Sequence, residues 1–117
     1  MQDKINLAEK FTKVNGYYKP AIIGQYNGND LFLAKFKGAF PWHSHAETDD
    51  FFLVVKGEID IELRDRKIHL TEGEVYVVPK GVEHRPVAAE EAHVLLIEPI
   101  GEPNTGDPAT ATAKTYI

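Results

Sequence analysis

The sequence has 117 residues, of which 43% are hydrophobic and 26% are charged. This length suits one domain with its own core, and the composition is that of an ordinary globular domain. Because the chain has no cysteine, thiol catalysis, disulfides and thiolate metal sites are excluded, and any metal must sit on nitrogen and oxygen ligands. The net charge of −5 disfavours nucleic acid as a partner.

Nothing in the sequence indicates a membrane segment. The longest apolar run, Phe51 to Val55, is too short to span a bilayer. The first four residues also lack the apolar stretch of a secretory signal. We therefore expect a cytoplasmic protein with no membrane partner.

The first predicted element is one short amphipathic helix. Asn6, followed three residues later by Glu9, is typical of a helix cap, and Asn15-Gly16 is expected to end the helix. The apolar residues around the cap are Ile5, Leu7 and Phe11. Residues 1–20 are therefore interpreted as this helix and its lead-in.

From residue 21 the chain changes to short β-type runs separated by turn residues, which predicts an all-β domain over residues 21–99. The predicted strands are Ala21 to Gln25, Leu31 to Lys37, Phe51 to Val55, Ile59 to Arg64, Val75 to Val78 and His93 to Glu98. In the fourth run Ile59, Ile61 and Leu63 alternate with polar residues, and Asp65-Arg66 is expected to turn the chain into a returning strand. Residues 100–117, rich in Gly, Pro, Thr and Ala, have no core-forming period and are interpreted as a tail.

The run Phe51 to Val55 is apolar on both faces, so something must cover its outer face as well as its inner one. Two explanations fit this pattern. Either a second copy of the chain packs there in a homodimer, or the N-terminal helix covers the strand within one chain. The sequence does not distinguish them.

Three histidines carry the clearest chemical signal. His43 and His45 are two residues apart, so in extended backbone both imidazoles project from one face and can meet one ion. His84 follows Pro79 and Gly81, which suit a tight turn that delivers the next strand beside its neighbour. These residues predict a metal site on imidazole ligands.

At these residues the sequence resembles the cupin superfamily, in particular its short, single-domain, mannose-6-phosphate isomerase-like members. The positions that match the first cupin motif are Gly38, His43, His45, Asp50 and Gly57, and those that match the second are Gly73, Pro79, Gly81 and His84. The resemblance implies a jelly-roll, double-stranded β-helix barrel. It also implies a divalent transition metal (Zn, Fe, Mn or Ni) on His43, His45, His84 and the acidic position Asp50.

Three positions depart from the cupin pattern. Asp50 stands where glutamate is usual, Ala88 stands where asparagine is usual, and four residues rather than five separate Gly38 from His43. Because aspartate is one methylene shorter, three arrangements stay open: direct binding by Asp50, a water-bridged contact, or a site of three histidines. Asp49 and Glu47 are nearby substitutes.

Other residues are candidates for the ligand pocket. If Asp50 points inward, alternation sends Phe52 and Val54 inward too. Phe52, Tyr76 and His93 are the candidate substrate contacts, while Arg85 and Lys80 flank the third histidine and can meet an anionic group.

The expected function is that of a small metal-binding cupin. Three imidazoles and at most one carboxylate leave positions open on the ion for a small-molecule ligand. The resemblance implies an enzyme, an isomerase or a dioxygenase, acting on a small carbonyl compound, a sugar or an oxidisable metabolite. The alternative is a non-catalytic binding or sensor module.

Overall fold

The computed structural model describes residues 3–117 of the chain. It contains one short helix and eight strands over this range, so the all-β prediction is confirmed. The elements are α1 (Leu7–Phe11), β1 (Ala21–Tyr26), β2 (Asn29–Ala39), β3 (Asp50–Lys56), β4 (Ile59–Leu63), β5 (Lys67–Leu70), β6 (Val75–Val78), β7 (His84–Pro99) and β8 (Thr115–Tyr116).

The helix begins as predicted and ends early. The side chain of Asn6 accepts a hydrogen bond from the backbone N–H of Glu9 at 2.9 Å. The helix ends at Phe11 rather than at Asn15-Gly16. Beyond it the N–H groups of residues 12–14 bond to carbonyls three residues back, and the Thr12 hydroxyl donates to the Glu9 carbonyl. This tighter turn replaces the predicted last turn of α-helix.

The longest strand, β7, connects the two halves of the barrel. It is 16 residues long, pairing with β4 over residues 84–87, with β2 over residues 87–99 and with β3 over residues 93–97. Beyond these neighbours, β5 pairs with β4, β6 with β3, β1 with β2 and β8 with β1. The prediction identified only the second half of β7, because the continuous apolar run from Val94 to Ile97 lies there.

A bulge lets β7 change partners. Ala88 pairs with Gly38 and Ala92 with Phe36, so residues 89–91 stand out from the ladder. Gly57 lies against this bulge with φ of +84°, and a Cβ there would lie 3.1 Å from the Glu91 carbonyl oxygen. Only glycine combines this backbone angle with so close an approach, which explains the residue at this motif position.

The barrel interior is filled by the inward rows of the strands, as the alternation predicted. Phe52 and Val54 of β3 are buried, and so are Ile59 and Ile61 of β4. Other members of this core are Ile22, Phe32, Ala34, Phe36, Leu70, Val78, Val94 and Leu96. A second cluster lies outside the sheet, where Phe11 and Val14 pack on Leu33 and reach Val55.

Residues 100–117, which the sequence pattern assigned to a tail, fold back onto the barrel. β8 runs parallel to β1, the Thr105 side chain is buried, and the Lys114 ammonium lies 4.7 Å from the centre of the Phe32 ring. We call these residues the C-terminal segment. Among residues 3–117, no helix is long and apolar enough to cross a membrane.

The outward residues of β3 are half-buried within one chain, and the apolar surface beside them on β6 is exposed. Phe51 lies between Val77 of β6 and Ile97 of β7, and Leu53 lies between Val75 and Leu95. Val75 and Val77 are 49% and 43% exposed, and Val55 is the β3 residue that packs against the cluster containing Phe11 and Val14. The helix therefore covers one part of this apolar face, and the homodimer stays a prediction for the rest.

If a second copy covers this face, the protein in solution should have the mass of two 13.1 kDa chains. Val77→Lys should then reduce it to one chain, because a buried ammonium would face apolar side chains across the interface. Size-exclusion chromatography with light scattering measures both. Ile100→Lys, at an apolar residue that is 54% exposed elsewhere, is the matched control. A wild-type mass of one chain would refute the dimer.

Candidate metal centre

The two histidine-bearing segments are joined by backbone hydrogen bonds. The N–H of His43 donates to the His84 carbonyl at 3.0 Å, and the N–H of His84 donates to the His43 carbonyl at 2.9 Å. The turn before β7 also holds the first segment, since the Gly81 N–H donates to the His45 carbonyl at 2.8 Å. The loop before β3 and the start of β7 are thus fixed side by side.

Each of the three imidazoles has its Nδ1 within hydrogen-bond distance of an acceptor. His43 Nδ1 lies 2.9 Å from the Pro41 carbonyl, and His84 Nδ1 lies 2.9 Å from the Val82 carbonyl. His45 Nδ1 lies 2.8 Å from a carboxylate oxygen of Glu102. Because these oxygens only accept, Nδ1 carries the proton in each ring. In the neutral ring the lone pair is then on Nε2, which is where a metal ion needs it.

Asp50 belongs to the same cluster. It is the first residue of β3 and is 3% exposed. Its Oδ2 lies 3.1 Å from His84 Nε2 and 3.4 Å from His45 Nε2. The substitutes considered from the sequence lie elsewhere, since Asp49 accepts a hydrogen bond from the Lys80 N–H and Glu47 is exposed. The aspartate therefore reaches the histidines despite its shorter side chain.

The donor set fits a divalent cation. One ligand atom from each of His43, His45, Asp50 and His84 can be chosen so that all four lie within 4.8 Å of one another. Ligands bound to one ion at about 2.1 Å are at most about 4.2 Å apart, so this spacing is close to what an ion requires. Among the described residues, His45 Nε2 and Asp50 Oδ1 are buried without a hydrogen-bond partner. A cation between them would satisfy both atoms.

The pKa values of the residues in this cluster are shifted in different directions. Burial lowers the pKa of His43 to about 4. Burial also lowers the pKa of His45, but the neighbouring carboxylates of Asp50, Glu102 and Glu98 outweigh it and raise the value to about 9. Burial raises the pKa of Asp50, and its interactions with His45 and His84 reverse this, holding it below the usual value. Asp50 is thus an anion paired with the cation of His45.

A small apolar cavity adjoins the cluster. Its volume is about 30 Å³, which exceeds the roughly 10–15 Å³ that one water molecule needs. His43 and Asp50 lie in its wall, and so do the polar residues Glu98 and Asn104. The remaining lining residues are Tyr18, Pro20, Phe32, Ala34, Phe36, Phe40, Phe52, Pro86 and Leu96.

Two carboxyl groups at this site were missed from the sequence. Glu98 is 2% exposed and lies in the cavity wall, with Oε2 3.6 Å from His45 Nδ1. Burial, followed by the charge of Asp50, raises the pKa of Glu98 to about 8. Alternation along β7 could have identified Glu98, since it shares the inward row of Val94 and Leu96. Glu102 gives no such signal, because a tertiary contact alone brings it to His45.

The structure places the other candidate residues apart. Phe52 lines the cavity. Tyr76 packs on the core without lining the cavity, since it points inward one strand further from the histidines. His93 faces outward, because alternation sends Val94 inward, and its ring stacks on Phe11 at 4.5 Å.

The two cations near the third histidine also do not line the cavity. Arg85 Nε donates to Glu62 at 2.7 Å, and the side chain lies near the Trp42 ring. Lys80 is exposed on the turn before β7. Neither cation is therefore positioned to meet an anionic group inside the cavity.

Comparison with known proteins finds one matching family and several similar solved structures. Residues 32–98 match the family described as Cupin domain. A structure of a cupin-2 domain-containing protein from Shewanella frigidimarina is 45% identical with a TM-score of 0.80, covering 81% of this chain and 93% of its own. The protein NMB1881 from Neisseria meningitidis is 33% identical with a TM-score of 0.76, covering 83% of this chain and 99% of its own.

One curated protein is also similar to this chain. YdbB of Bacillus subtilis, an uncharacterised protein, is 29% identical over 86 residues, which are 73% of this chain and 74% of the relative. The family match covers more than half of the chain, and the two solved structures share the barrel over most of its length. The jelly-roll prediction is therefore confirmed, and the chain belongs to the cupin domain family.

Proposed function

We propose that this cupin binds one divalent transition-metal ion and acts as a metal-dependent enzyme on a small carbonyl compound, a sugar or an oxidisable metabolite. The observation that carries the proposal is the convergence of His43, His45, His84 and Asp50 within 4.8 Å at the wall of an apolar cavity. Such an ion, when bound, supplies a Lewis acid with open positions and, if it is iron, redox chemistry.

The residues of the chain supply the rest of such a site. The aromatic and aliphatic walls exclude bulk water, which strengthens the electrostatic interactions of a bound ligand. Glu98 lies in the same wall as the cluster and is placed to accept a proton from a ligand or return it. It is the candidate acid–base group that the sequence did not provide.

The cavity also narrows the substrate. At about 30 Å³ it is far below the ~300–1,000 Å³ of drug-sized ligand pockets, which favours compounds of a few heavy atoms. In the part of the chain that the structure describes, no lysine or arginine lines it, so a phosphorylated sugar would find no basic side chain there. The isomerase-like subtype and the cytoplasmic location stay predictions.

The metal site can be tested by elemental analysis of protein purified without added metal. We expect close to one transition-metal ion per chain, and a sharp loss in His45→Ala, because one ligand is removed from a set of four. Asp50→Asn should lower the content if the carboxylate binds the ion directly. Asp49→Asn is the matched control, since that carboxylate is held by the Lys80 N–H.

The outcomes separate a site that needs the Asp50 carboxylate from a site of three histidines. Metal lost in His45→Ala but retained in Asp50→Asn indicates a site of three histidines. Metal retained at the wild-type level in His45→Ala contradicts the site altogether.

Catalysis can be tested with glycolaldehyde, a hydroxyaldehyde of four heavy atoms. With the Zn²⁺-loaded protein in D₂O, we expect NMR to show deuterium replacing hydrogen at the carbon beside the carbonyl. Glu98→Gln should slow this exchange by about 10²-fold or more, because the amide cannot take the proton. Glu90→Gln, at an exposed residue of β7, is the control. Binding of glycolaldehyde without exchange would instead support a non-catalytic binding module.

A further inference from the structure

The C-terminal segment contacts the loop that carries His43 and His45 at two points. The Glu102 carboxylate lies 2.8 Å from His45 Nδ1. The backbone of Gly106 packs directly on Ser44, the residue between the two histidines. A Cβ on Gly106, whose φ is +75°, would lie 1.9 Å from the Ser44 carbonyl oxygen. The side chain of one ligand and the backbone beside it are thus both held by residues outside the cupin motifs.

His45 differs from the other two histidines in this respect. The acceptors for His43 and His84 are carbonyls only two residues away in the chain. Their ring orientations are therefore set locally. The acceptor for His45 is 57 residues away, so its ring is oriented only when the C-terminal segment is docked.

No other carboxylate takes the place of Glu102. Glu98 Oε2 is 3.6 Å from the same Nδ1, which is beyond hydrogen-bond distance. If Glu102 were absent, the buried Nδ1 of His45 would lose its acceptor, and the ring would lose the interaction that keeps Nε2 directed at Asp50.

The C-terminal segment is itself tied into a compact unit. Asn104 accepts a hydrogen bond from the Thr112 N–H at 2.9 Å, and the hydroxyls of Thr105 and Thr110 lie 2.8 Å apart. Beyond them β8 pairs with β1. A contact made by Glu102 can therefore influence the order of neighbouring residues in the segment.

We propose that Glu102 is a positioning residue for the metal ion, and that ion binding and docking of residues 101–112 stabilise each other. The proposal rests on the proposed metal site. Linkage makes the effect reciprocal: if docking of the segment increases the affinity for the ion, the ion must favour docking by the same factor.

The first test measures Zn²⁺ affinity by competition with a chelator. Glu102→Ala should weaken binding about 10- to 100-fold, the usual effect of losing a partner behind a ligating histidine. Glu102→Gln should lose less, because its amide oxygen can still accept from His45 Nδ1. Glu90→Ala, at an exposed carboxylate of β7, should leave affinity unchanged. Circular dichroism establishes that each variant is folded.

The second test measures amide hydrogen exchange with and without Zn²⁺. In the wild type the ion should slow exchange in residues 101–112, and in Glu102→Ala this protection should disappear while protection of β3 is retained. A merely structural role for Glu102 would change exchange equally in both states.

Each failure has its own signature. If the wild type takes up no Zn²⁺, the metal site itself is refuted and the inference is overturned with it. If the wild type binds Zn²⁺ and Glu102→Ala binds it equally well, the metal site stands and only the role of Glu102 is overturned. Protection of residues 101–112 that does not depend on the ion also overturns the coupling.

Discussion

The pair of backbone hydrogen bonds between His43 and His84 is the interaction on which the rest of this site depends. It joins the loop before β3 to the first residue of β7, two segments that are about 40 residues apart in sequence. Because the backbones are fixed, the directions of both side chains are fixed too. The distance of 4.3 Å between the ring centres of His43 and His84 follows from this register rather than from any attraction between imidazoles.

Burying this cluster inside the barrel is unfavourable in free energy. His45, Asp50, His84 and Glu98 are all buried, and removing a charge from water costs several kcal/mol per ion before any partner is found. The carboxylates and imidazoles offset one another in part, yet buried atoms without a hydrogen bond remain on His45, Asp50 and Glu98. A core of apolar residues would stabilise the fold better. Stabilisation of the fold therefore does not explain the cluster.

The sequence predicted what depends on local pattern and motif spacing. Alternation placed Phe52 and Val54 inward, and the motif brought the three histidines together, because strand geometry converts spacing directly into direction. Prediction from the sequence failed where individual side-chain contacts decide, whether they are local or tertiary. The end of the helix is set by a hydroxyl that bonds to a carbonyl, and Glu102 reaches His45 from a segment without periodicity. His93 was wrongly predicted to lie in the pocket, because the sequence identified its strand but not the face of the sheet on which its side chain lies.

Asp50 stands where the cupin motif usually has glutamate, and this difference is best understood together with Glu98. Phe51 pairs with Ile97, so Asp50 and Glu98 are the next residues in register, and both are buried. Two adjacent buried carboxyls do not both ionise easily, because each charge opposes the other. Here His45 and His84 hold the pKa of Asp50 low, while burial and the charge of Asp50 raise that of Glu98 to about 8.

The environment therefore divides two similar groups into different roles. Asp50 is an anion suited to a cation, and Glu98 retains a proton near neutral pH and can exchange it with a ligand in the cavity. On the neighbouring strand, Glu98 lies beside the candidate metal ligands without belonging to their set. If the cluster binds an ion as proposed, the group that can exchange a proton is therefore separate from the groups that hold the ion.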